Sequence, residues 1–418
     1  MSRKIFSIIF FIIFSSLITS YLFPQQEILN EIGYISTSSL SDTIPKGYQI
    51  KQSVTYSVEI NFSVTQLSSS ANYYFKLPRL NDRQPNSPYT PMCPPYQESE
   101  LLYLNISGNI PSQTILNHTD RFNNVYDSYN ATLDFSNPEV KLSSKYLITL
   151  NEIAFDNILP SEIGSYNTSE DIFELFCNQS VKFYNRSDPN LISLSNSIVS
   201  PSDSPIVKAQ KIMNWICDNI VYNDSLDVEI GASSAYANLT GDCSEFSSLM
   251  ITLLRIQGIP ARKVTGLCLS KMINFKPEIG DTFTFYMRDG DTPTLLGHAW
   301  VEYYVPNVGW IACDPTWNQV THSYFNRIDY LRLNFNIGEW FFLPPDEYFS
   351  EFPVPYFFAT GPGAYSNTYD FQIKVTVLDT NYLTIDPLLL IIVFSVIAAV
   401  IALIVIMLYI RKRKEIKY

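Results

Sequence analysis

The stretch GDCSEFSSLMITLLRIQGIPARKVTG, residues 241–266, sets one cysteine between Gly-Asp and an apolar-periodic run. Phe246, Leu249, Met250, Leu253 and Leu254 recur at spacings of three and four, which predicts a helix with one buried face. Asp242 or Gly241 then falls at the N-cap, and Cys243 lies in the first turn. Unpaired backbone N–H groups and the positive end of the helix dipole favour a thiolate there. The same N–H groups can donate to an oxyanion. From this stretch alone a nucleophilic and a structural cysteine are equally open, although a space-filling thiol belongs one turn deeper on the apolar face.

A thiolate nucleophile needs an imidazole, and the imidazole needs an acceptor that orients it. The chain has three histidines. His118 sits inside the glycosylation sequon NHT, far from the Cys243 segment, and His322 follows TWNQVT in an expected loop. His298 opens HAWVEYYV, an expected strand on which Trp300, Glu302 and Tyr304 share its parity. A lone histidine at a strand end commonly serves structure. Here a carboxylate lies close by, Asp314 in GWIACDPTW. The turn PNVG can fold the Asp314 strand back against the His298 strand. A plain four-residue loop over 306–309 would pair Val305 with Trp310 and put Asp314 on the face opposite His298. A Cys243–His298–Asp314 triad therefore requires an odd-length loop or a bulge. Glu302 reads either as a residue backing the site from behind its contacting groups or as a sheet-face residue.

The elements that must position these groups can be read in order. Ser204 and Pro205 suit the cap and first position of a helix whose Ile206, Ala209, Ile212, Met213, Ile216 and Ile220 form a buried stripe. A polar loop leads to the Cys243 helix, which ends at Gly258 with Pro260 beyond it. The segments ARKVTGLCL, TFTFYMR, HAWVEYYV and GWIACD follow as strands, so helices are expected on one side of an antiparallel sheet. Upstream, Tyr48, Ile50, Val54, Tyr56, Val58, Ile60, Phe62 and Val64 alternate with polar residues along one long strand. Weaker strands are expected at 72–77, 101–107, 131–135 and 145–150, and YDFQIKVTVLD (369–379) alternates again. The expected organisation is a β-rich, sandwich-like domain over 24–200, a catalytic domain over 201–325 and an aromatic, Pro-rich and β extension over 326–385.

Both ends of the 418-residue chain carry apolar runs. Ile5–Phe23 follows Arg3 and Lys4, the pattern of a signal peptide or N-terminal anchor over 1–23. A transmembrane helix is expected over 386–410, with the basic tail RKRKEIK (within 411–418) cytoplasmic and the bulk of the chain outside the cell. Nine Asn-x-Ser/Thr sequons, Asn223 and Asn238 among them, agree with that orientation. Six cysteines, Cys93, Cys177, Cys217, Cys243, Cys268 and Cys313, would then lie where thiols tend to pair. If Cys243 stays free for chemistry, five remain, and at least one more must be free or bridge another chain. A net charge of −12 argues against nucleic-acid binding. There is no HExxH, no paired CxxC, no phosphate loop and no EF-hand loop, and RDGDT (288–292) reads as a solvated hairpin tip.

GDCSEFSSLMITLLRIQGIPARKVTG, GHAWVEYYVPNVGW and CDPTW together resemble the transglutaminase-like superfamily, with separations of 55 and then 16 residues between Cys243, His298 and Asp314. The resemblance covers roughly 204–320. It implies an α+β, papain-like core, with Cys243 as nucleophile, His298 as base and acid, and Asp314 as the orienter. It also implies acyl transfer or hydrolysis at protein amide bonds, on a protein or peptide substrate at the cell exterior and with no cofactor. Calcium dependence and oligomeric state stay open. Trp215, Tyr236 and Asn238 are the candidates for an oxyanion side chain. The alternative is a catalytically inactive surface module of the same fold, with Cys243 tied to Cys217, Cys268 or Cys313.

Overall fold

Alternation along β1 (Gln49–Gln66) buries Val54, Tyr56, Val58, Ile60, Phe62 and Val64 on one face, as the period of two demands. The structure, a computed structural model, describes residues 45–382 except 86, 88–91, 110–112, 121, 179–182, 225, 227–228, 273–274, 292–293, 295–296, 339–340, 344–346 and 350–355. After β1 come β2 (Ala71–Pro78), β3 (Gln97–Gly108), β4 (Gln113–Thr119), β5 (Val125–Leu133) and β6 (Glu139–Ala154). The helical segment runs α1 (Pro189–Ile198), α2 (Pro205–Asn219), β7 (Val221–Tyr222), α3 (Gly231–Asn238), β8 (Thr240–Gly241) and α4 (Cys243–Ile256). Next are β9 (Ala261–Cys268), β10 (Thr282–Arg288), β11 (Gly297–Val305), β12 (Gly309–Cys313), α5 (Pro315–Thr321), β13 (Arg327–Ile328) and β14 (Arg332–Ile337). A small hairpin of β15 (Phe341–Leu343) and β16 (Glu347–Phe349), then β17 (Tyr356–Thr360) and β18 (Asn367–Asn381), complete the described chain.

One sheet has the order β10-β18-β1-β6-β13, with β3 also on β6, and a second has the order β17-β2-β5-β4. Their inner residues, among them Val58, Phe75, Tyr129, Ile148 and Ile373, share one apolar core, a β-sandwich. The third sheet, β12-β11-β9-β14, is antiparallel throughout and carries α4. TFTFYMR was expected as a strand of this sheet. It instead pairs with β18 at the edge of the sandwich, Phe285 opposite Ile373, because both residues complete that core.

Helix α2 starts as its sequence predicts, with Ser204 accepting from the Val207 N–H and Pro205 in the first position. Helix α4 departs from the one-faced expectation, since every residue from Cys243 to Arg255 is buried. Its polar residues find partners inside. Ser248 donates to the Ser244 carbonyl, Thr252 to the Ser248 carbonyl, and the Arg255 fork to the Ala261 carbonyl. A polar residue with an internal partner can be buried at small cost, so apolar periodicity alone under-reads such a helix.

The expectation of an α+β chain ending in a transmembrane helix is corrected in its last part. Among the described residues no helix is long and apolar enough to cross a membrane, and 386–410 lie outside them. The longest described helix, α2 with 15 residues, reaches about 22 Å, short of the roughly 30 Å of a hydrocarbon core. The membrane localisation that rested on that helix is withdrawn with it.

Candidate active site

The local sequence fixes the start of α4 tightly. Asp242 is the N-cap and accepts from the Ser244 N–H at 2.7 Å, while Glu245 Oε2 accepts from the Asp242 N–H at 3.1 Å, a capping box. The other Glu245 oxygen takes the Ile230 N–H at 2.8 Å, which ties the preceding loop to the helix. Gly241 is needed for this packing, because a Cβ there would lie 2.2 Å from Glu245 Cβ. Tyr222 pairs with Gly241 across the short parallel ladder, so its ring reaches the same corner, 6.2 Å from Phe246.

Cys243 is 5% exposed. Burial pushes its thiol well above the ordinary range, and the Asp242 charge adds to the rise. The backbone of Ala299, the residue after His298, pulls in the opposite direction. The position at the helix start therefore does not by itself ionise the thiol, contrary to the simple dipole expectation. Ionisation requires a base.

The hairpin of β11 and β12 carries His298 and Asp314, the expected base and its partner. Its loop is three residues, Pro306 to Val308, and it pairs Val305 with Gly309 and Val301 with Cys313. Extending this register sets Asp314 beside Trp300, on the face that His298 shares. The odd-length loop required by the sequence is thus present, with Asn307 at φ 66° and Gly309 at φ 104°. A side chain at 309 would also put its Cβ 2.4 Å from the Met92 carbonyl, which accepts the Trp310 N–H.

Asp314 caps α5, with Oδ1 accepting from the Trp317 N–H at 3.1 Å. Its Oδ2 meets His298 Nε2 at 2.7 Å. Both side chains are buried. This leaves Nδ1 as the ring nitrogen that can serve the thiol. Arg332, which sequence reasoning missed, places Nε and Nη2 each 2.9 Å from the same Oδ2. Nε makes the directional bond, and Nη2 lies off its N–H line and adds charge alone. Burial would raise the Asp314 carboxyl, but the charges of His298 and Arg332 outweigh it and hold it at about 2. The one sequence signal for Arg332 was a cation within the alternating YLRLNFNI.

His298 opens onto a cleft of about 480 Å³ lined also by Tyr222, Asp224, Cys268, Trp317 and Gln319. Of the candidates for an oxyanion side chain, Trp215 and Tyr236 pack against each other, and Asn238 ends α3 exposed. His118 lies against Tyr126 in the sandwich, and His322 closes α5 in the left-handed region. Glu302, expected either to back the site or to lie on a sheet face, is fully buried between two guanidinium groups. Arg83 Nη2 lies 2.6 Å from it and Arg262 Nε 2.9 Å. Burial opposes ionisation of Glu302, and the two arginines overcome it. All six cysteines are free thiols, so the pairing of Cys243 with Cys217, Cys268 or Cys313 that belonged to the alternative reading is not what the structure has.

Residues 192–315 match the family model described as the transglutaminase-like superfamily, a stretch that contains Cys243, His298 and Asp314. The chain thus carries a domain of that superfamily, whose members include cysteine-dependent enzymes. It is 33% identical over 89 residues to the uncharacterized protein YebA of Bacillus subtilis, covering 21% of this chain and 11% of that one. It is also 33% identical over 78 residues to a protein-glutamine gamma-glutamyltransferase of Pseudomonas aeruginosa, covering 19% and 10%. The chain therefore spans about a tenth of each of these two relatives. Among solved structures, a candidate cysteine protease from Cytophaga hutchinsonii superposes with a TM-score of 0.46 at 15% identity, over 81% of this chain and 97% of that one.

Proposed function

We propose that the chain is a cysteine-dependent acyltransferase or amide hydrolase acting on protein or peptide amides through a thioester on Cys243. The observation that carries this reading is the 2.7 Å bond between His298 and Asp314, on a strand that packs against the helix headed by Cys243. With Nε2 held by Asp314, Nδ1 takes the Cys243 proton and the sulfur attacks the amide carbon. The Cys243 N–H, the first-turn donor of α4 that the capping box does not take up, stabilises the tetrahedral oxyanion. His298 returns the proton to the leaving nitrogen, and ammonia or an amine departs. An amine or water, deprotonated by His298, then attacks the thioester and frees the thiol. The similarity to the Pseudomonas protein-glutamine gamma-glutamyltransferase favours a glutamine carboxamide as acyl donor.

One observation favours a non-catalytic module instead: the depth of Cys243 and the upward push on its thiol. Alkylation separates the two readings. With iodoacetamide on the folded chain and mass mapping, Cys243 is expected to label with a pH dependence that His298→Ala abolishes. A Cys243 that stays inert, or reacts without regard to His298, sinks the enzyme reading. A glutamine peptide with a labelled amine then sorts incorporation, ammonia release and backbone cleavage. His298→Ala is expected to lower any of these by on the order of 10² or more.

A further inference from the structure

Arg332 enters the site from β14, which pairs antiparallel with β9 and places Arg332 opposite Cys268. On the other side of β9, Gly266 stands opposite His298. Residues 266 and 268 share a parity, so Arg332, Cys268 and His298 lie on one face of the sheet. The guanidinium is buried, 4.3 Å from the Tyr324 ring and 5.1 Å from the Trp317 ring. One edge of the fork meets the Asp314 oxygen that also binds His298 Nε2. Nη1 meets Asp329 Oδ1 at 2.6 Å, and the Tyr324 hydroxyl donates to the second Asp329 oxygen at 2.5 Å. The side chains thus form a row, Asp329–Arg332–Asp314–His298, leading from a side chain 15% exposed to the catalytic imidazole.

The charges along the row alternate. Two carboxylates and one guanidinium leave one net negative charge, which an imidazolium on His298 neutralises. The other titratable groups facing the row are Cys268 of β9, Cys243 and Asp242 of α4, Cys217 of α2, Tyr222 of β7 and Tyr324, with Asp224 and Lys271 lining the cleft that His298 opens onto. Lys271 is the one cation among them, and no ion pair among the described residues joins it to Asp314. Lys263 acts on Cys243 from further round, and it is paired with Glu229 at 2.6 Å. Among the described residues, Arg332 is thus the one cation besides His298 at hydrogen-bonding distance from Asp314.

We propose that Arg332 is a positioning residue that sets how firmly Asp314 holds the His298 proton, and that Asp329 counterbalances it, so that this row fixes the pH range in which Cys243 is activated. The proposal rests on the reading of Cys243, His298 and Asp314 as a working triad. Because Arg332 and His298 share one oxygen, each weakens the other's claim on it. Removing the Arg332 charge leaves the site more negative, so the first proton of the Cys243–His298 pair is held to higher pH. Removing the Asp329 charge leaves it more positive, and the same proton departs at lower pH. The sign is the same whether that proton is counted on sulfur or on imidazole.

The test is the pH dependence of Cys243 alkylation by iodoacetamide in the full chain, which needs no knowledge of the substrate. Arg332→Gln is expected to move the midpoint up by about one pH unit or more. Asp329→Asn, one group further away, should move it down by about half a unit. The double variant returns toward the parent value. In a His298→Ala background the Arg332→Gln shift should largely vanish, because the arginine acts through the imidazole. Loss of melting temperature in both variants with no opposite displacement of their midpoints would make the row a structural ion-pair chain and overturn the proposal. If Arg332→Gln does not fold, the sign of the Asp329→Asn shift decides. Parent Cys243 labelling that ignores His298 is a separate outcome, and it removes the triad reading itself.

Discussion

Asp314→Asn removes the charge at the centre of the site while keeping its shape. The Asp314 carboxyl, ordinarily at 3.8, is held at about 2 in the folded chain. That depression corresponds to about 2 kcal/mol of folding stability at neutral pH. The folded value is the lower one, so the stabilisation is complete above about pH 4 and is lost as pH falls toward 2. At pH 3 about half of it should remain. The variant also leaves Arg332 with Asp329 as its one carboxylate partner, and breaking a buried pair from one side can cost about 3 kcal/mol or more. Urea unfolding of parent and variant at pH 7 and pH 3 measures both terms. The expected result is a deficit of at least about 2 kcal/mol at pH 7 that narrows by about 1 kcal/mol at pH 3. An equal deficit at both values, or none at pH 7, would show that the Asp314 charge is not stabilised as the geometry requires.

Two other substitutions probe what positions the triad. Gly309→Ala puts a Cβ 2.4 Å from the Met92 carbonyl at a left-handed φ of 104°. It should cost about 2 kcal/mol or more and slow Cys243 alkylation by displacing Asp314, read as a fall in melting temperature together with labelling rate. Glu302→Gln strips the counter-charge from Arg83 and Arg262. A loss of about 3–5 kcal/mol in chemical denaturation is expected, with the pH midpoint of Cys243 labelling in the folded fraction unchanged.

What the residues revealed in advance was whatever is local or periodic. The alternation of β1 and β18 and the cap of α2 came out as their sequences require. So did the parity condition on the β11–β12 hairpin, because a loop of odd length is the one unbulged way to bring Asp314 to the face of His298. Distance along the chain hid the rest. Arg332 reaches Asp314 because β14 returns to β9, and no spacing near Asp314 announces it. Arg83 neutralises Glu302 across 219 positions, so Glu302 looked like an ordinary charge on a strand. The pairing of β10 with β18 was equally out of reach of local pattern. Burial of Cys243 reversed the simple electrostatic expectation, since the helix start favours an anion but desolvation opposes it more strongly.

The contact between Met92 and the hairpin of β11 and β12 has a practical consequence for anyone cutting the gene. The recognisable stretch, 192–315, ends one residue after Asp314. An expression boundary drawn there would discard Arg332 and leave Asp314 with a neutralising partner missing. It would also delete Arg83 and uncover the ion cluster at Glu302, and remove the carbonyl that receives Trp310 beside the crowded glycine. The recognisable motif and the smallest workable fragment are thus different lengths of polypeptide, and the second must reach back into the sandwich and forward through β14.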